Sequence, residues 1–249
     1  MKFAILAAGE GSRLSSEGAQ TPKPLTMVKG EALIDRLLRI FDNNNADEMV
    51  VAVNTLTSLT LEHLKAHYNT ILNDGPLHAC PRKPKIETPV RIVAKTTESS
   101  MHTFYGLSPY LGPDKFCLTT VDTIFKESEF ARYISMWQQA DCDGLMAVTS
   151  YVDDEKPLYV KVTEDMRITG FLDTREDCSY ISGGIYCLDS KAIATLGRCM
   201  AEGISRMRNF QRRMVTEGLN LEACAFGKIV DVDHVSDIAK AEELLDEDD

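Results

Sequence analysis

Apolar and polar residues alternate in blocks along the chain, and these blocks predict strands that alternate with helices. The run KFAILA at Lys2–Ala7 is almost continuously apolar, as expected of a strand buried in a parallel sheet. From Ala32, the stretch ALIDRLLRIF places its apolar residues on one helical stripe. A second apolar run from Met49 and a second helical stretch from Leu59 repeat the order. This order predicts right-handed crossovers and a parallel sheet that is covered on both faces.

Residues 73–89, NDGPLHACPRKPKIETP, interrupt this rhythm with four prolines and a cluster of basic residues, which predicts an inserted loop or flap. The alternation then resumes, with strands predicted from Val90, Phe116 and Gly144 and helices across Ser99–Leu111 and Glu127–Ala140. After Leu158 the apolar blocks become shorter. They predict two short strands in LYVKVTEDMRITGFL and further strands in GGIYCLD, NLEACAF and KIVDVD. Helices are predicted at Lys191–Cys199, at Ile204–Glu217 and from Asp237. No regular element is predicted between Ala7 and Glu31.

Composition narrows the class of protein. The chain has 249 residues, 44% of them hydrophobic, which is enough to bury a core without disulfides, so we expect one domain over residues 1–249 with an acidic tail at 246–249. A net charge of -11 argues against a protein that grips nucleic acid or an anionic membrane. Seven scattered cysteines without a C-x-x-C pair, and no signal peptide or membrane-length apolar run, favour a cytoplasmic location. Whether the protein forms a homo-oligomer is left open.

The first predicted strand leads into AAGEGSRL, in which two glycines precede an arginine. Glycines directly after a strand let backbone N–H groups approach a phosphate. The dinucleotide fingerprint is not met, because Leu14 replaces its third glycine and no helix is expected to open here. Two cations lie in the loop, Arg13 and Lys23, and the prolines on both sides of Lys23 should hold it extended at a defined place. The loop is either a phosphate cradle with two placed cations or a turn with solvated basic residues.

Three aspartates are candidate metal ligands. Asp122 follows FCLTTV at the carboxyl edge of the sheet, where open α/β sheets bind ligands, although an aspartate there can also cap a helix. Asp231 and Asp233 alternate along KIVDVD and would face the same side of a strand, or Asp233 would cap the helix that begins near Val235. These carboxylates suit Mg²⁺, which takes one or two protein carboxylates together with waters and substrate phosphate oxygens.

Together, LAAGEGSRL and TPKPL resemble the signature of the sugar-phosphate nucleotidyltransferases, the nucleoside-diphosphate-sugar pyrophosphorylases. Further segments resemble the family in order across most of the chain: TESSMHTFYGLSPYL, CLTTVDTIF, SGGIYCLD and IVDVDHVSDIAKAEEL. The resemblance implies a Rossmann-like three-layer αβα nucleotidyltransferase fold. Its central sheet would be mixed but mainly parallel, with a small β-rich region on the sugar side.

The resemblance also implies roles for the residues of the loop and the carboxylates. Arg13 and Lys23 would be catalytic, and Mg²⁺ would be held by Asp122 and Asp233, with Asp231 as the alternative to Asp233. The residues implied in nucleotide binding are Leu6, Ala7, Ala8, Gly9, Gly11, Ser12, Ser99 and Ser100.

The acceptor end departs most from the family pattern. Gly184 on SGGIYCLD is implied as a sugar contact. In FLDTRED, Asp173 and Arg175 stand where relatives carry the acid and the lysine of a Glu-Lys-Pro motif, or the stretch is a simple exposed turn. Ser99 and Ser100 replace a common Gly-Thr, and Ser182 replaces a frequent asparagine. The identities of the nucleobase and of the acceptor are therefore left open.

The implied reaction transfers a nucleoside monophosphate from a nucleoside triphosphate to a sugar 1-phosphate, with release of pyrophosphate and dependence on Mg²⁺. Two alternatives remain at this point. The acceptor could be phosphocholine or another small phosphomonoester, which would make the protein a cytidylyltransferase. The chain could also be a regulatory subunit that binds nucleotide sugars without turning them over. No nucleic acid or membrane partner is expected.

Overall fold

The computed structural model describes residues 1–9, 11–55, 58–153 and 155–246. The strands in these residues are β1 (Lys2–Ala7), β2 (Met27–Val28), β3 (Glu31–Ala32), β4 (Glu48–Val53), β5 (Thr70–Leu72), β6 (Leu77–His78), β7 (Val90–Ala94), β8 (Phe116–Thr120), β9 (Thr123–Ile124), β10 (Gly144–Thr149), β11 (Tyr159–Val162), β12 (Ile168–Leu172), β13 (Tyr180–Leu188), β14 (Leu221–Phe226) and β15 (Val230–Asp231). The helices are α1 (Ser12–Ser16), α2 (Leu33–Asn43), α3 (Ser58–His67), α4 (Ser100–Leu111), α5 (Glu127–Gln139), α6 (Ser190–Ala201), α7 (Met207–Thr216) and α8 (Val235–Asp246).

The strand β1 lies near the middle of the main sheet, whose order is β12-β11-β13-β8-β1-β4-β7-β5-β6. The strands β5, β7, β4, β1 and β8 run parallel to one another, and β13 pairs antiparallel with β8. Off this path, β10 pairs antiparallel with β13 and parallel with β14. The sheet is therefore mixed and mainly parallel, as predicted. Because the chain leaves β1 toward β4 on one side and returns to β8 on the other, ligands are expected at the carboxyl ends of β1 and β8.

Two apolar clusters cover the two faces of the sheet. Alternate residues of β1 enter each cluster, with Phe3 and Ile5 on one face and Ala4 and Leu6 on the other. Buried side chains of α2, α3, α5 and α8 pack on the first face, and those of α4, α6 and α7 pack on the second. This arrangement gives the predicted three-layer αβα architecture.

The strand β13 is irregular where it pairs with β10. Its pairing register with β10 shifts between Met146 and Val148, and Gly184 nearby adopts a positive φ of 74°. A Cβ at Gly184 would lie 3.0 Å from the Thr123 hydroxyl oxygen, so a side chain there would be strained and crowded. Glycine at this position lets β13 pass close to β9.

Two local expectations were wrong. The segment between Ala7 and Glu31 is not irregular, because α1 opens directly after Gly11 and residues Lys23–Leu25 form a 3-10 turn. The strand predicted over KIVDVD ends at Asp231. Asp246, the first residue of the predicted acidic tail, belongs to α8, and residues 247–249 lie outside the described residues, so the tail stays a prediction.

The predicted flap at 73–89 extends the edge of the sheet. Its short strand β6 pairs antiparallel with β5. Lys85 donates a hydrogen bond of 2.5 Å to Asp35 of α2, and Ile86 is buried in the first apolar cluster. The C-terminal part of the segment is thus attached to α2 and to the first apolar cluster.

No helix in the described part of the chain has both the length and the apolar character needed to cross a membrane.

Candidate active site

The loop after β1 is folded back onto the residues of TPKPL. Gly11 adopts a positive φ of 60° and precedes the first residue of α1, and its carbonyl accepts a hydrogen bond of 3.1 Å from the amide of Ser15. A Cβ on Gly11 would lie only 2.8 Å from the Cβ of Lys23. The second glycine of the motif is therefore needed so that the backbone can approach Lys23 closely.

Substitution of Gly11 by alanine is expected to lower the free energy of unfolding by on the order of 2 kcal/mol, because alanine disfavours this backbone conformation and its methyl group would collide with Lys23. Gly9→Ala in the same loop is the matched control, since nothing lies within 4 Å of a Cβ there. Urea unfolding of both variants measures the difference. Equal stability of the two variants would contradict the close approach of Gly11 to Lys23.

Lys23 is buried between two carboxylates. It opens the 3-10 turn after Pro22, so the expectation that it is extended was wrong, and only 9% of its surface is exposed. Its Nζ donates hydrogen bonds to Asp122 Oδ2 and, at 2.6 Å, to Asp233 Oδ1. Burial lowers the pKa of Lys23, but the charges of the two aspartates outweigh this effect and the net pKa is raised. Lys23 is therefore held as a cation at a fixed point.

A two-stranded ribbon brings the aspartates together. β9 follows Asp122, and β15 pairs with it so that Asp231 lies opposite Thr123. The amide of Val232 donates a hydrogen bond of 3.0 Å to the carbonyl oxygen of Asp122. The backbone of this ribbon therefore fixes the spacing of Asp122 and the segment that carries Asp233.

Asp231 and Asp233 have different partners, which corrects the expectation that they share one face of a strand. Asp231 accepts a hydrogen bond of 3.0 Å from the Thr123 hydroxyl, whereas Asp233, beyond the end of β15, pairs with Lys23. Asp231 is exposed where it lines the smaller cavity, and the protein atoms around its carboxylate, together with the charge of Asp122, raise its pKa.

Asp233 also pairs with the cation of α1. Arg13 NH1 donates a hydrogen bond of 2.7 Å to Asp233 Oδ2. Partial burial opposes ionisation of Asp233, but Lys23 and Arg13 outweigh it, and the pKa is lowered. The alternative that Asp233 caps α8 is not what the structure shows, because Asp237 accepts the amide hydrogen bonds of Asp233 and His234 at 3.2 and 2.8 Å.

Carboxylate oxygens are the ligands that Mg²⁺ prefers. Among the described residues, no three His, Cys, Asp or Glu side chains form a group that could hold a metal ion by themselves. The donors Asp122 and Asp233 fit a cation that takes only one or two protein carboxylates and completes its shell with waters and phosphate oxygens. A closed structural metal site does not fit this donor set.

A cavity of about 680 Å³ opens at the carboxyl ends of β1 and β8. Of the predicted site residues, it is lined by Leu6, Ala8, Gly9, Gly11, Ser12, Arg13, Lys23, Ser99, Ser100, Asp122 and Asp233. Ala7 faces a different cavity on the far side of the loop. The structure thus brings together segments that are more than 200 residues apart in sequence.

The start of α4 forms one wall of this large cavity. Ser99 precedes the helix, its hydroxyl lies 2.8 Å from His102 Nδ1, and its carbonyl accepts the Thr103 amide at 3.0 Å. Sequence reasoning missed other residues of the lining, namely Asn54, Thr96, Thr97, Glu98, Thr103, Thr120 and Val121. Most of these residues lie in the segments that resemble the family, and Asn54 carried a signal of its own, because a polar residue directly after the apolar strand β4 lies at the same edge as Asp122.

A second cavity of about 270 Å³ adjoins the first. The two cavities share Arg13 and Asp233 in their linings, and Asp231 lines only the smaller one. The other residues of the smaller cavity are Thr149, Tyr151, Asp153, Glu155, Ile181, Ser182, Gly183, Ile229, His234, Ser236, Asp237 and Lys240. The site therefore has two compartments that meet at the ion pair of Arg13 and Asp233.

The two residues implied as sugar contacts are not brought to this site. Neither Asp173 nor Gly184 is among the described residues that line the two cavities. Asp173 forms ion pairs of 2.7 Å with Arg208 and Arg212 of α7. Ser182 and Gly183, which immediately precede Gly184 on β13, face the smaller cavity instead.

Solved structures with this fold cover nearly the whole chain. The inositol-1-phosphate CTP transferase from T. maritima has 21% identity and a TM-score of 0.74, covering 98% of this chain and 94% of its own. A protein from Bacillus anthracis assigned as a glucose-1-phosphate thymidylyltransferase, in complex with sucrose, has 17% identity and a TM-score of 0.81 with the same coverage. A UDP-glucose pyrophosphorylase complexed with UDP-glucose has 15% identity and a TM-score of 0.75, covering 100% and 99%. At these identities the likeness shows the fold.

Comparison of the sequence with models of protein families shows the family of this chain. No curated protein matches the chain. Residues 3–207 match the model of the MobA-like NTP transferase domain, a range that includes the glycine loop, Lys23 and Asp122. The chain belongs to the MobA-like NTP transferase domain family, and it is a nucleotidyltransferase.

Proposed function

We propose that this nucleotidyltransferase transfers the nucleoside monophosphate group of a nucleoside triphosphate to a sugar 1-phosphate, releases pyrophosphate, and uses Mg²⁺. The observation that carries the proposal is the meeting of two cavities at Arg13 and Asp233, with Lys23 buried beside them. The larger cavity has the glycine loop and the start of α4 in its walls and suits the triphosphate. The smaller cavity suits the acceptor.

In this mechanism an oxygen of the acceptor phosphate attacks the α-phosphorus in line, and the bond between that phosphorus and the bridging oxygen to the β-phosphate breaks. The leaving electron pair departs with pyrophosphate. A phosphate monoester has its second pKa near about 6, so it is largely dianionic at neutral pH and needs no general base. The protein therefore has to align the phosphates and neutralise their charge.

Arg13 and Lys23 bind different phosphates in this mechanism. The loop amides and Arg13 hold the β- and γ-phosphates, because they follow β1 where a triphosphate enters the larger cavity. Lys23 Nζ contacts the acceptor phosphate and the α-phosphate, which must approach each other despite their charge. Burial of Lys23 keeps its position fixed as charge moves from the α-phosphate to pyrophosphate.

The carboxylates Asp122 and Asp233 would hold Mg²⁺, with Asp231 as the alternative to Asp233. When bound, Mg²⁺ neutralises the charge that grows on the phosphate oxygens in the transition state. Lys23 and Arg13, which pair with these carboxylates, lie close enough to contact phosphates bound beside them.

The lining of the smaller cavity supports a hydroxylated acceptor. The side chains of Ser182 and Ser236 can exchange hydrogen bonds with sugar hydroxyls, and Asp153 and Glu155 can accept them. The same two acids, beside the ring of Tyr151, would also meet a cationic acceptor such as phosphocholine, but this acceptor would have to displace Lys240, which pairs with Asp153 at 2.7 Å, and Lys228, which lies over the Tyr151 ring. Phosphocholine is therefore the second candidate acceptor.

A substrate panel tests the proposal. Each of the common nucleoside triphosphates is offered with sugar 1-phosphates, inositol phosphates or phosphocholine in the presence of Mg²⁺, and pyrophosphate release is measured. We expect release that requires both substrates and is abolished by chelation of the metal. Absence of release with every pair would overturn the enzymatic proposal and favour a binding subunit. Release with phosphocholine alone would replace the sugar acceptor.

A further inference from the structure

The end of α1 is tied to the start of α8 by Glu17, which follows the last residue of α1. Glu17 Oε2 accepts a hydrogen bond of 2.7 Å from the amide of Val235, and Glu17 Oε1 lies 2.5 Å from His234 Nδ1. We call the contacts of Glu17 with His234 and Val235 the tether. The amide of Glu17 donates to the carbonyl of Arg13 at 3.1 Å, so the tether begins one helical turn from this arginine. At the other end, His234 directly follows Asp233.

The local chemistry explains why a carboxylate is used here. The first amides of a helix have no acceptor within the helix, and the N-terminal end carries partial positive charge. Asp237 accepts the amides of Asp233 and His234, and Glu17 accepts the next amide, that of Val235. Glu17 thus supplies, from another segment of the chain, the acceptor for the first amide of α8. Its carboxylate is held from two directions, which fixes the distance between α1 and α8.

Two connections therefore join α1 to this segment, the pair of Arg13 with Asp233 and the pair of Glu17 with His234 and Val235. Under the proposed function, Arg13 turns to phosphate and Asp233 to the metal, so their direct contact cannot persist unchanged through the reaction. Glu17 has no such second task, and it lines neither of the two site cavities. The Glu17 connection is the one that can hold the two segments together while the first connection is exchanged for substrate contacts.

We infer that Glu17 is a positioning residue, which holds the arginine of α1 and the metal-binding segment before α8 at the spacing that a triphosphate with its metal requires. It acts through His234 and Val235 and touches no substrate. The inference rests on the proposed function for the roles of Arg13 and Asp233, whereas the tether itself does not depend on turnover.

Glu17→Ala removes both contacts, and Glu17→Gln is the conservative variant, because its carbonyl can accept the Val235 amide and its NH₂ group can donate to a neutral His234. Glu164→Ala, at an exposed glutamate of the turn between β11 and β12, is the matched control. Loss of a group that hydrogen-bonds a metal ligand costs roughly 10- to 100-fold in metal affinity or activity. Glu17 binds the residues that follow Asp233 and not the ligand itself, so we expect the low end of this range: Glu17→Ala should raise the half-saturating Mg²⁺ concentration and lower kcat by about 10-fold. Glu17→Gln should remain within about 3-fold of wild type.

Two readouts do not need turnover. Electron paramagnetic resonance measures Mn²⁺ binding to each variant with a non-hydrolysable nucleoside triphosphate, and hydrogen exchange measures protection of the Val235 amide. Glu17→Ala should weaken Mn²⁺ binding and speed exchange, with thermal melting as the check on folding. Wild-type Mn²⁺ binding in folded Glu17→Ala would overturn the inference, as would an equal loss in Glu17→Gln. If the wild-type protein turns over no substrate pair, the proposed function fails. Mn²⁺ binding and exchange of the Val235 amide then still show whether Glu17 holds the two segments together.

Discussion

Replacing Lys23 by methionine is expected to lower kcat by about 100-fold or more. Methionine keeps most of the length and the apolar stem of the side chain, so it can occupy the same buried position behind Gly11. What is lost is the charge that lies between Asp122 and Asp233 and that would meet the phosphates in the transition state. Removal of one preorganised group of this kind costs on the order of 100- to 1,000-fold in turnover.

Steady-state kinetics with the best substrate pair measures this effect, and circular dichroism with thermal melting shows whether the variant is folded. Lys161→Met is the matched control, because Lys161 is an exposed lysine on β11 outside both site cavities. Its kcat should equal that of the wild type. A folded Lys23→Met variant that retains kcat within about 3-fold would contradict the catalytic role of Lys23.

The second large effect is expected for Asp122→Asn, with kcat reduced by on the order of 100-fold and weaker Mn²⁺ binding in the presence of nucleotide. Asparagine keeps the shape of the side chain, and the contact of the Asp122 carbonyl with Val232 does not involve the carboxylate. The ribbon of β9 and β15 should therefore stay in place, so that the lost function reports the lost negative charge.

Comparison of the other two aspartates assigns the second ligand. Asp233→Asn should reduce Mn²⁺ binding more than Asp231→Asn does, because Asp233 lies beside Lys23 and Arg13 in both cavities and Asp231 lines only the smaller one. Asp165→Asn, in the turn between β11 and β12, is the control and should bind Mn²⁺ normally. Wild-type activity in Asp122→Asn would contradict the metal assignment.

The regular part of the fold was predictable because burial leaves a strong pattern in sequence. Strands such as β1 and β4 are buried on both faces and are continuously apolar, and α2 buries one stripe. The parallel order then placed the end of β1 and Asp122 at one edge of the sheet. The glycine loop, Lys23 and the aspartates were found in this way, with help from the resemblance to a known family.

The features that the sequence did not predict depend on contacts between distant segments. The five-residue helix α1 is too short to show a period. The 3-10 turn at Lys23 is closed by backbone hydrogen bonds from the amides of Leu25 and Thr26, which the flanking prolines do not reveal in sequence. Asp173 was expected beside the acceptor, but the arginines of α7 bind it instead, which no local pattern indicates. Nor could sequence separate the roles of Asp231 and Asp233, since that depends on where β15 ends.

The central claim is that the chain transfers a nucleotidyl group, and the fate of isotopic label tests it most directly. The protein is incubated with the acceptor found in the panel and with nucleoside triphosphate that carries ³²P at either the α or the γ position. We expect α-label in the acceptor product and γ-label in pyrophosphate, in equal amounts. Transfer of γ-label to the acceptor, or its release as inorganic phosphate while the α-label stays in a nucleoside diphosphate, would contradict nucleotidyl transfer.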